Sequence, residues 1–343
     1  MESAVSSTLL SDQNCYPKWL WTLLFSLSIT LCFPAYSDSE EQQFGIVGIL
    51  HSIGSDTLDD VITQWASAFQ KRYPHIRIQI QTSGSSAAPI AIIGGTASIG
   101  PMSRPLRDSE RQSFVNKYHY EPTMLTVGID AIGVFVHPAN PVEQISQYDL
   151  DAAFSVTRFC GARNNINRWL GLLKNNDLSE FSKSEIRLYG RNSASGTYAF
   201  FKQTALCAGD YKAEVHQQPS SSAIIRSVAN QIDSLGYASI GAISNLVKPL
   251  ALENQSGEYI SLNEQNIQSG AYPLTRNLYL MINKPPEADL SLSLRTFLRF
   301  IYSDEGQSIV SQNGYVPVSN AMRRRELAKF APLKAKQILE VIR

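Results

Sequence analysis

A chain of 343 residues, 43% of them apolar and 17% charged, can bury a sizeable core, and this length suits two domains better than one. Thirty basic residues cancel thirty acidic ones, so the overall charge calls for neither nucleic acid nor an anionic membrane surface as a partner. Attraction for an anion must therefore be local.

Lys18 precedes an apolar run from Trp19 to Phe33, and Ala35-Tyr36-Ser37 follows with small residues at the spacing of a cleavage site. This predicts a secretory signal peptide over residues 1–37 and an exported, periplasmic protein. The run falls short of the roughly 20 residues that cross a bilayer, which disfavours the alternative of a retained anchor. Leu31 before Cys32 is bulkier than the small residue that lipid modification of a cysteine favours. With Cys15 and Cys32 in the leader, Cys160 and Cys207 remain, at a separation that fits no metal-ligand spacing. An oxidising compartment leaves a disulfide between them open, but sequence does not place the two side chains within reach.

Beyond the leader, Phe44 to Leu50 reads as a buried strand and His51 to Asp56 as the loop after it. Leu58, Val61, Ile62, Trp65 and Phe69 recur at helical spacing, with Asp59 and Asp60 in the first turn where the helix dipole favours them. Ile76, Ile78 and Ile80 alternate as in a strand, and the small, polar stretch Thr82 to Ala88 precedes a helical Pro89 to Ile93. A third strand, Ala97 to Gly100, leads through Met102-Ser103-Arg104 to a helix from Asp108. Three loops that each follow a strand are expected on one edge of a parallel sheet, because right-handed crossovers return every strand in the same direction. Ligands of open α/β sheets bind at that edge. Free N–H groups and the positive dipole end at a helix start suit an anion, and Ser55 and Thr57 add hydroxyls there.

Met124 to Val136 is a long extended run with Gly128 and Gly133 in it, and Tyr279 to Pro286 has a similar form. Both are expected to cross between domains. Asp149 to Phe154 and Asn167 to Leu173 read as short helices, Gly161 to Asn167 as a loop. Ser220 to Ile232 reads as a helix with Ile224, Val228 and Ile232 on one face, and Gly236 to Gly241 as a strand. Leu290 to Val310 reads as an amphipathic helix or helix pair, and Asn313-Gly314 as a turn. Arg323-Arg324-Arg325 is expected on a solvated helix face.

The stretch on which the rest converges is Ile186 to Leu206. A short strand at its start and a helix from Gly196 onward enclose Arg191-Asn192-Ser193-Ala194-Ser195-Gly196-Thr197. Small residues at a helix start let an oxyanion approach the backbone. Ser195 and Thr197 add donors, and Arg191 adds a forked cation suited to two oxygens of one tetrahedral anion. The same Ser and Thr also serve as ordinary helix caps.

The Arg-x-x-x-Ser-Gly-Thr pattern resembles the phosphate-binding proteins that serve ABC transporters. Further stretches support the resemblance in the right order. They are Gly54-Ser55-Asp56-Thr57-Leu58, Ser83-Gly84-Ser85-Ser86, Ile99 to Leu106, Leu235 to Ile240 and Tyr272 to Tyr279, so that it covers nearly all of residues 44 to 320.

The resemblance implies an α/β, two-lobed periplasmic binding protein fold, type II-like, with a two-strand hinge. Lobe I is expected to be discontinuous, residues 44–134 plus 275–343, and lobe II to span 135–274. It implies binding of inorganic phosphate between the lobes and delivery to an ABC permease and its ATPase, by a monomer without cofactor or metal. Carried over residue by residue, the phosphate contacts fall on Ser55, Asp56, Thr57, Ser85, Ser103, Arg104, Arg191, Ser195, Gly196 and Thr197, with Ser86 as the alternative to Ser85. Well-known members place an Asp in the loop matched by Ser103-Arg104, where it accepts the proton of hydrogen phosphate. Here Arg104 stands instead, and Asp56 is the candidate acceptor. Sulfate, molybdate or tungstate is the alternative ligand, and sensing or adhesion the alternative role.

Catalysis and nucleotide binding find little support. The five histidines are scattered, no G-x-S-x-G elbow surrounds Ser195, and no G-x-x-x-x-G-K-[ST] or G-x-G-x-x-G motif occurs at a helix start.

Overall fold

The computed structural model describes residues 45–173 and 179–332, so the expected leader over residues 1–37 lies outside the described residues. All of the described residues fall within one unit, Gln42–Arg343.

Strand β1 (Gly48–Gly54), helix α1 (Asp59–Arg72), strand β2 (Ile76–Thr82), helix α2 (Ala87–Gly94), strand β3 (Gly100–Met102) and helix α3 (Asp108–Tyr118) form the first half. β1 and β2 run parallel along their whole length. On its other edge β1 meets the approach to β3, through a parallel bridge from Ser52 to Ile99 and an N–H···O bond from Ser55 to Pro101 of 2.8 Å. The loops after β1, β2 and β3 therefore leave the sheet at one edge, as right-handed crossovers require. The strand expected over Phe44 to Leu50 runs instead to Gly54. His51 and Ser52 look like loop residues by polarity, but hydrogen bonding on both edges overrides that preference. The third strand is likewise displaced, to Gly100–Met102.

Strand β4 (Thr123–Val136) is the long crossing element. Strand β5 (Gln144–Ile145), helix α4 (Gln147–Phe154), the short helix α5 (Glu180–Lys183), strand β6 (Arg187–Arg191), helix α6 (Gly196–Ala205), strand β7 (His216–Gln218), helix α7 (Ser221–Ala229) and strand β8 (Ser234–Ser239) follow. Of the helix expected over Asn167 to Leu173, only a single 3-10 turn, Trp169–Gly171, forms. Next come strands β9 (Lys248–Pro249), β10 (Ala251–Glu253) and β11 (Tyr259–Ile260), helix α8 (Glu264–Gln268) and strand β12 (Thr275–Ile282). Helices α9 (Leu292–Ile301), α10 (Asp304–Gln312) and α11 (Asn320–Lys329) complete the described chain.

β4 belongs to both halves of the molecule. Its first part pairs antiparallel with β12, which in turn pairs with β3, whereas its last residues, Ile132 to Val136, pair with β8. β8 runs parallel to β6, and β6 to β7. The return crossing thus begins at Thr275, four residues before the expected Tyr279. β5, β10 and β11 make a separate small sheet.

Large apolar side chains fix the helices to these sheets. Trp65 and Phe69 of α1 are fully buried, with Phe69 against Phe297 and Phe300 of α9, and the Trp65 indole donates to the Gly306 carbonyl at 2.7 Å. In the second half Phe201 of α6 stacks on Tyr237 of β8 at 3.9 Å between ring centres, with Phe154 edge-on to both. Full burial of each such ring contributes roughly 1.5–3 kcal/mol. Cys160 and Cys207 are joined in a disulfide, which ties the loop after α4 to the C-terminal end of α6. Within the basic run expected on a solvated helix face, Arg323 pairs with Asp304 of α10 and Arg325 with the buried Glu326, while Arg324 is exposed.

Candidate anion-binding site

Four loops meet where the two halves face each other, and glycines let them do so. Gly54 ends β1 with no room for a side chain, since a Cβ there would lie 2.2 Å from the Pro101 carbonyl oxygen. Gly84, at a φ of 90°, would place a Cβ 2.5 Å from the Ala194 oxygen, to which Ser86 N–H donates at 3.2 Å. A left-handed φ beside another backbone leaves glycine as the fitting residue. Gly196 opens α6 with its α-carbon packed on the other half, where a Cβ would meet the hydroxyls of Ser85 and Ser103 at 2.4 Å each.

Around these contacts the expected hydroxyls assemble. Ser55 Oγ donates to Ser103 Oγ at 3.2 Å, Ser103 N–H donates to Ser85 Oγ at 3.0 Å, and the Ser85 and Ser103 hydroxyls are 3.2 Å apart. Thr57 and Thr197 meet hydroxyl to hydroxyl at 3.2 Å. Ser55, Ser85, Ser103, Ser195 and Thr197 are all essentially excluded from solvent. Ser85 occupies this cluster, while Ser86 receives a long contact from Arg104 at 3.4 Å. Ser55 and Ser195 also cap: each accepts the N–H of the threonine two residues on, at 3.2 and 3.1 Å. Capping and membership of the cluster coexist in the same side chains.

Three arginines approach the cluster, and each is paired with a carboxylate. Arg191 is 1% exposed; it forms an ion pair with Asp56 across the two halves, and its Nε and Nη2 donate to the carbonyls of Gln218 and Pro219 at 3.2 and 2.7 Å. Its Nη1 is buried without a protein partner. Arg104 is differently disposed. Its two terminal nitrogens grip Glu110 at 2.8 and 2.6 Å, so its charge is neutralised within its own loop and helix. Burial alone would raise the Glu110 carboxyl, but the bonds from Arg104 and from Arg107 N–H outweigh it and hold the group below the usual carboxylate range.

The third pair, Arg276 and Asp130, was not among the expected site residues. Arg276 of β12 donates from Nε and Nη2 to one Asp130 oxygen at 2.9 and 2.6 Å, and from Nη2 to Thr197 Oγ1 at 2.8 Å. The other Asp130 oxygen accepts from the Ser239 hydroxyl at 2.9 Å and Ile240 N–H at 3.3 Å. Burial pushes the Asp130 carboxyl above the usual range, and these donors pull against it. Tyr315 completes the network by donating to the Thr57 carbonyl at 2.7 Å. A signal existed in the sequence: Asp130 is a lone carboxylate inside an apolar strand, and a buried charge requires a partner.

The assembly offers hydroxyl donors from both halves, the start of a ten-residue helix and two guanidinium groups with an unpartnered terminal nitrogen, Arg191 and Arg276. Such a set suits a small oxyanion held by dipoles and charge-assisted hydrogen bonds. A cavity of about 740 Å³ lies at the opposite end of α6, lined by Tyr148, Thr204, Asn254 and Pro273 among others, and contains none of these groups.

Two α/β halves joined by crossing strands, with small-residue loops meeting between them, define the architecture of a two-lobed binding protein. The chain belongs to the PBP superfamily: a family profile described as a PBP superfamily domain matches residues 39–305. Phosphate-binding protein PstS of Pseudomonas aeruginosa is 42% identical over 277 residues, 80% of this chain and 84% of that protein. Among solved structures, a phosphate ABC transporter substrate-binding protein with bound phosphate from Clostridium perfringens superposes with a TM-score of 0.63 at 24% identity, over 79% of this chain and 100% of that one. An ABC-type phosphate transport receptor from Vibrio cholerae gives a TM-score of 0.62 at 20% identity, over 79% and 100%. The fold is accordingly the two-lobed α/β fold of periplasmic binding proteins. No described helix is long and apolar enough to cross a membrane.

Proposed function

We propose that this chain binds inorganic phosphate between its two lobes and delivers it from the periplasm to an ABC permease and its ATPase, acting as a monomer. The observation that carries this reading is the junction at α6, where Gly196 packs on Ser85 and Ser103 while Thr197 meets Thr57, so that donors from both halves converge on one point. The name of the relative at 42% identity supports phosphate as the anion. Lobe I would comprise residues 44–134 plus 275–343 and lobe II residues 135–274. β4 and β12 would be the two hinge strands, since β4 pairs with strands of both halves.

Binding rests on dipoles and charge in a dry cleft. Closure excludes water and strengthens each charged contact. Ser55, Thr57, Ser85, Ser103, Ser195, Gly196 and Thr197 supply hydroxyls and backbone N–H groups, and Arg191 supplies a cation through its free Nη1. Arg104, held by Glu110, shapes the Ser103 loop in this reading. Asp56, paired with Arg191, would accept a hydrogen bond from the P–OH group of hydrogen phosphate, a donor that sulfate lacks near neutral pH.

Calorimetric titration of residues 38–343 with phosphate, sulfate, molybdate and tungstate tests the proposal. Tight binding of phosphate with sulfate excluded is expected. Preference for another oxyanion would reassign the ligand, and no heat with any of the four would sink the proposal.

A further inference from the structure

We propose that Arg276, on the crossing strand β12, is a direct ligand of the anion and supplies with Arg191 the second cation of the site; this rests on the phosphate reading above. The sequence resemblance puts the second arginine at Arg104, but both terminal nitrogens of Arg104 are engaged by Glu110, and only its inner Nε is buried without a partner. Arg191 and Arg276 share a different disposition. In each, Nε and one terminal nitrogen are satisfied by protein oxygens, and Nη1 is buried with no protein partner.

A guanidinium carries five N–H donors, and leaving a buried one unsatisfied is costly. Arg276 is 4% exposed, and its other terminal nitrogen already holds the Thr197 hydroxyl, which also touches Thr57. An oxyanion seated on these two threonines would sit beside the same guanidinium and would give Nη1 its missing acceptor. The guanidinium cannot swing away to find another partner. Asp130 grips it through two nitrogens, the Ser239 hydroxyl and Ile240 N–H fix Asp130 in turn, and the Phe200 ring lies 5.5 Å from its central carbon. Asp130 is thus the positioning residue, and Arg276 the ligand.

The placement has a consequence for selectivity. Arg191 is paired with a partly exposed carboxylate and Arg276 with a fully buried one. An anion that engages both free nitrogens must offer each of them an acceptor atom. A tetrahedral oxyanion has several, and the pair is suited to one.

The test uses the wild-type protein with ¹⁵N-labelled arginine and bound inorganic phosphate, and measures ³¹P–¹⁵N dipolar coupling to each guanidinium. Signals are assigned by their loss in Arg191→Lys and in Arg276→Lys, either of which suffices to tell the two apart. Coupling to both Arg191 and Arg276 at hydrogen-bond range is expected. Bound phosphate coupled to Arg191 and not to Arg276 would overturn this inference and leave the phosphate reading standing, whereas no bound phosphate would overturn both. As a second measurement, Arg276→Lys keeps a charge beside Asp130 and removes the fork. Phosphate affinity should fall about tenfold to hundredfold with the melting temperature maintained. A folded variant that binds phosphate as wild type does would count against a direct contact.

Discussion

Thr57 and Thr197 stand 140 residues apart in the chain, yet their hydroxyls lie 3.2 Å from each other. Each belongs to a different half and each begins a helical turn, so the contact brings two N-terminal turns face to face. Both turns offer the positive end of their backbone dipoles to the same small volume, which is unfavourable unless an acceptor or negative charge lies between them. Serine caps and Asp56 meet part of that need, and the proposed anion would meet the rest.

Arg191 gives the most direct test of that site. It is buried, bonded to two carbonyls and paired with Asp56 from the other half. Arg191→Ala should weaken phosphate binding about tenfold to hundredfold, corresponding to a charge-assisted contact of roughly 1.5–3 kcal/mol. Arg191→Lys should recover only part, because an ammonium cannot hold the Gln218 and Pro219 carbonyls and the anion at once in the geometry of a planar guanidinium. Titration calorimetry of both variants checks this, and unchanged affinity in two folded variants would remove Arg191 from the site.

Gly196→Ala makes a steric test in which no donor is lost. The added methyl would lie 2.4 Å from two buried hydroxyl oxygens, so the halves must part or the serines must turn. Forced overpacking of this kind costs about 1–3 kcal/mol. Phosphate affinity should drop about tenfold, with chemical denaturation showing a smaller change in an isolated measurement without phosphate. A variant that binds as tightly as wild type would mean that this contact is not part of the bound state.

Glu110 provides a pH signature. Arg104 and Arg107 hold its carboxyl below the usual range, so it contributes stability that is complete above its unfolded value and is lost as pH falls through the folded one. Melting temperature should fall on acidification below about pH 4.3, the ordinary value for a glutamate. In Glu110→Gln that part of the acid limb should flatten. An acid limb of the same slope in both proteins would show that the pair adds nothing.

Much of this molecule was legible from the order of its residues. The helix of Val61, Trp65 and Phe69, the alternating Ile76-Ile78-Ile80 strand and the turn at Ser195-Gly196-Thr197 follow from local periodicity and capping chemistry, which need no partner elsewhere. The misplaced features all depend on distant neighbours. β1 extends past His51 because β2 and Ile99 supply hydrogen bonds on both sides. Arg276 escaped notice because its meaning lies with Asp130, 146 residues away, and with Thr197, 79 away. Arg104 is the instructive contrast. Its partner Glu110 is only six residues on, in the first turn of α3, and Arg107-Asp108-Ser109-Glu110 could have been read as a helix start with a carboxylate reaching back.

Replacing both cysteines, Cys160→Ser with Cys207→Ser, should cost about 2–4 kcal/mol, since the bond closes a long loop in the unfolded chain. Denaturant titration of oxidised wild type against the double variant measures it. Equal midpoints would show that the packing of α6 suffices without the bond.

The same bond has a topological consequence. Residues 160–207 become a covalent ring, and β6, the Arg191 to Thr197 loop and α6 all lie on it. A protease that nicks the backbone between the two cysteines opens the ring without dividing the molecule. Both pieces stay tied, migrating as one species until a reductant is added.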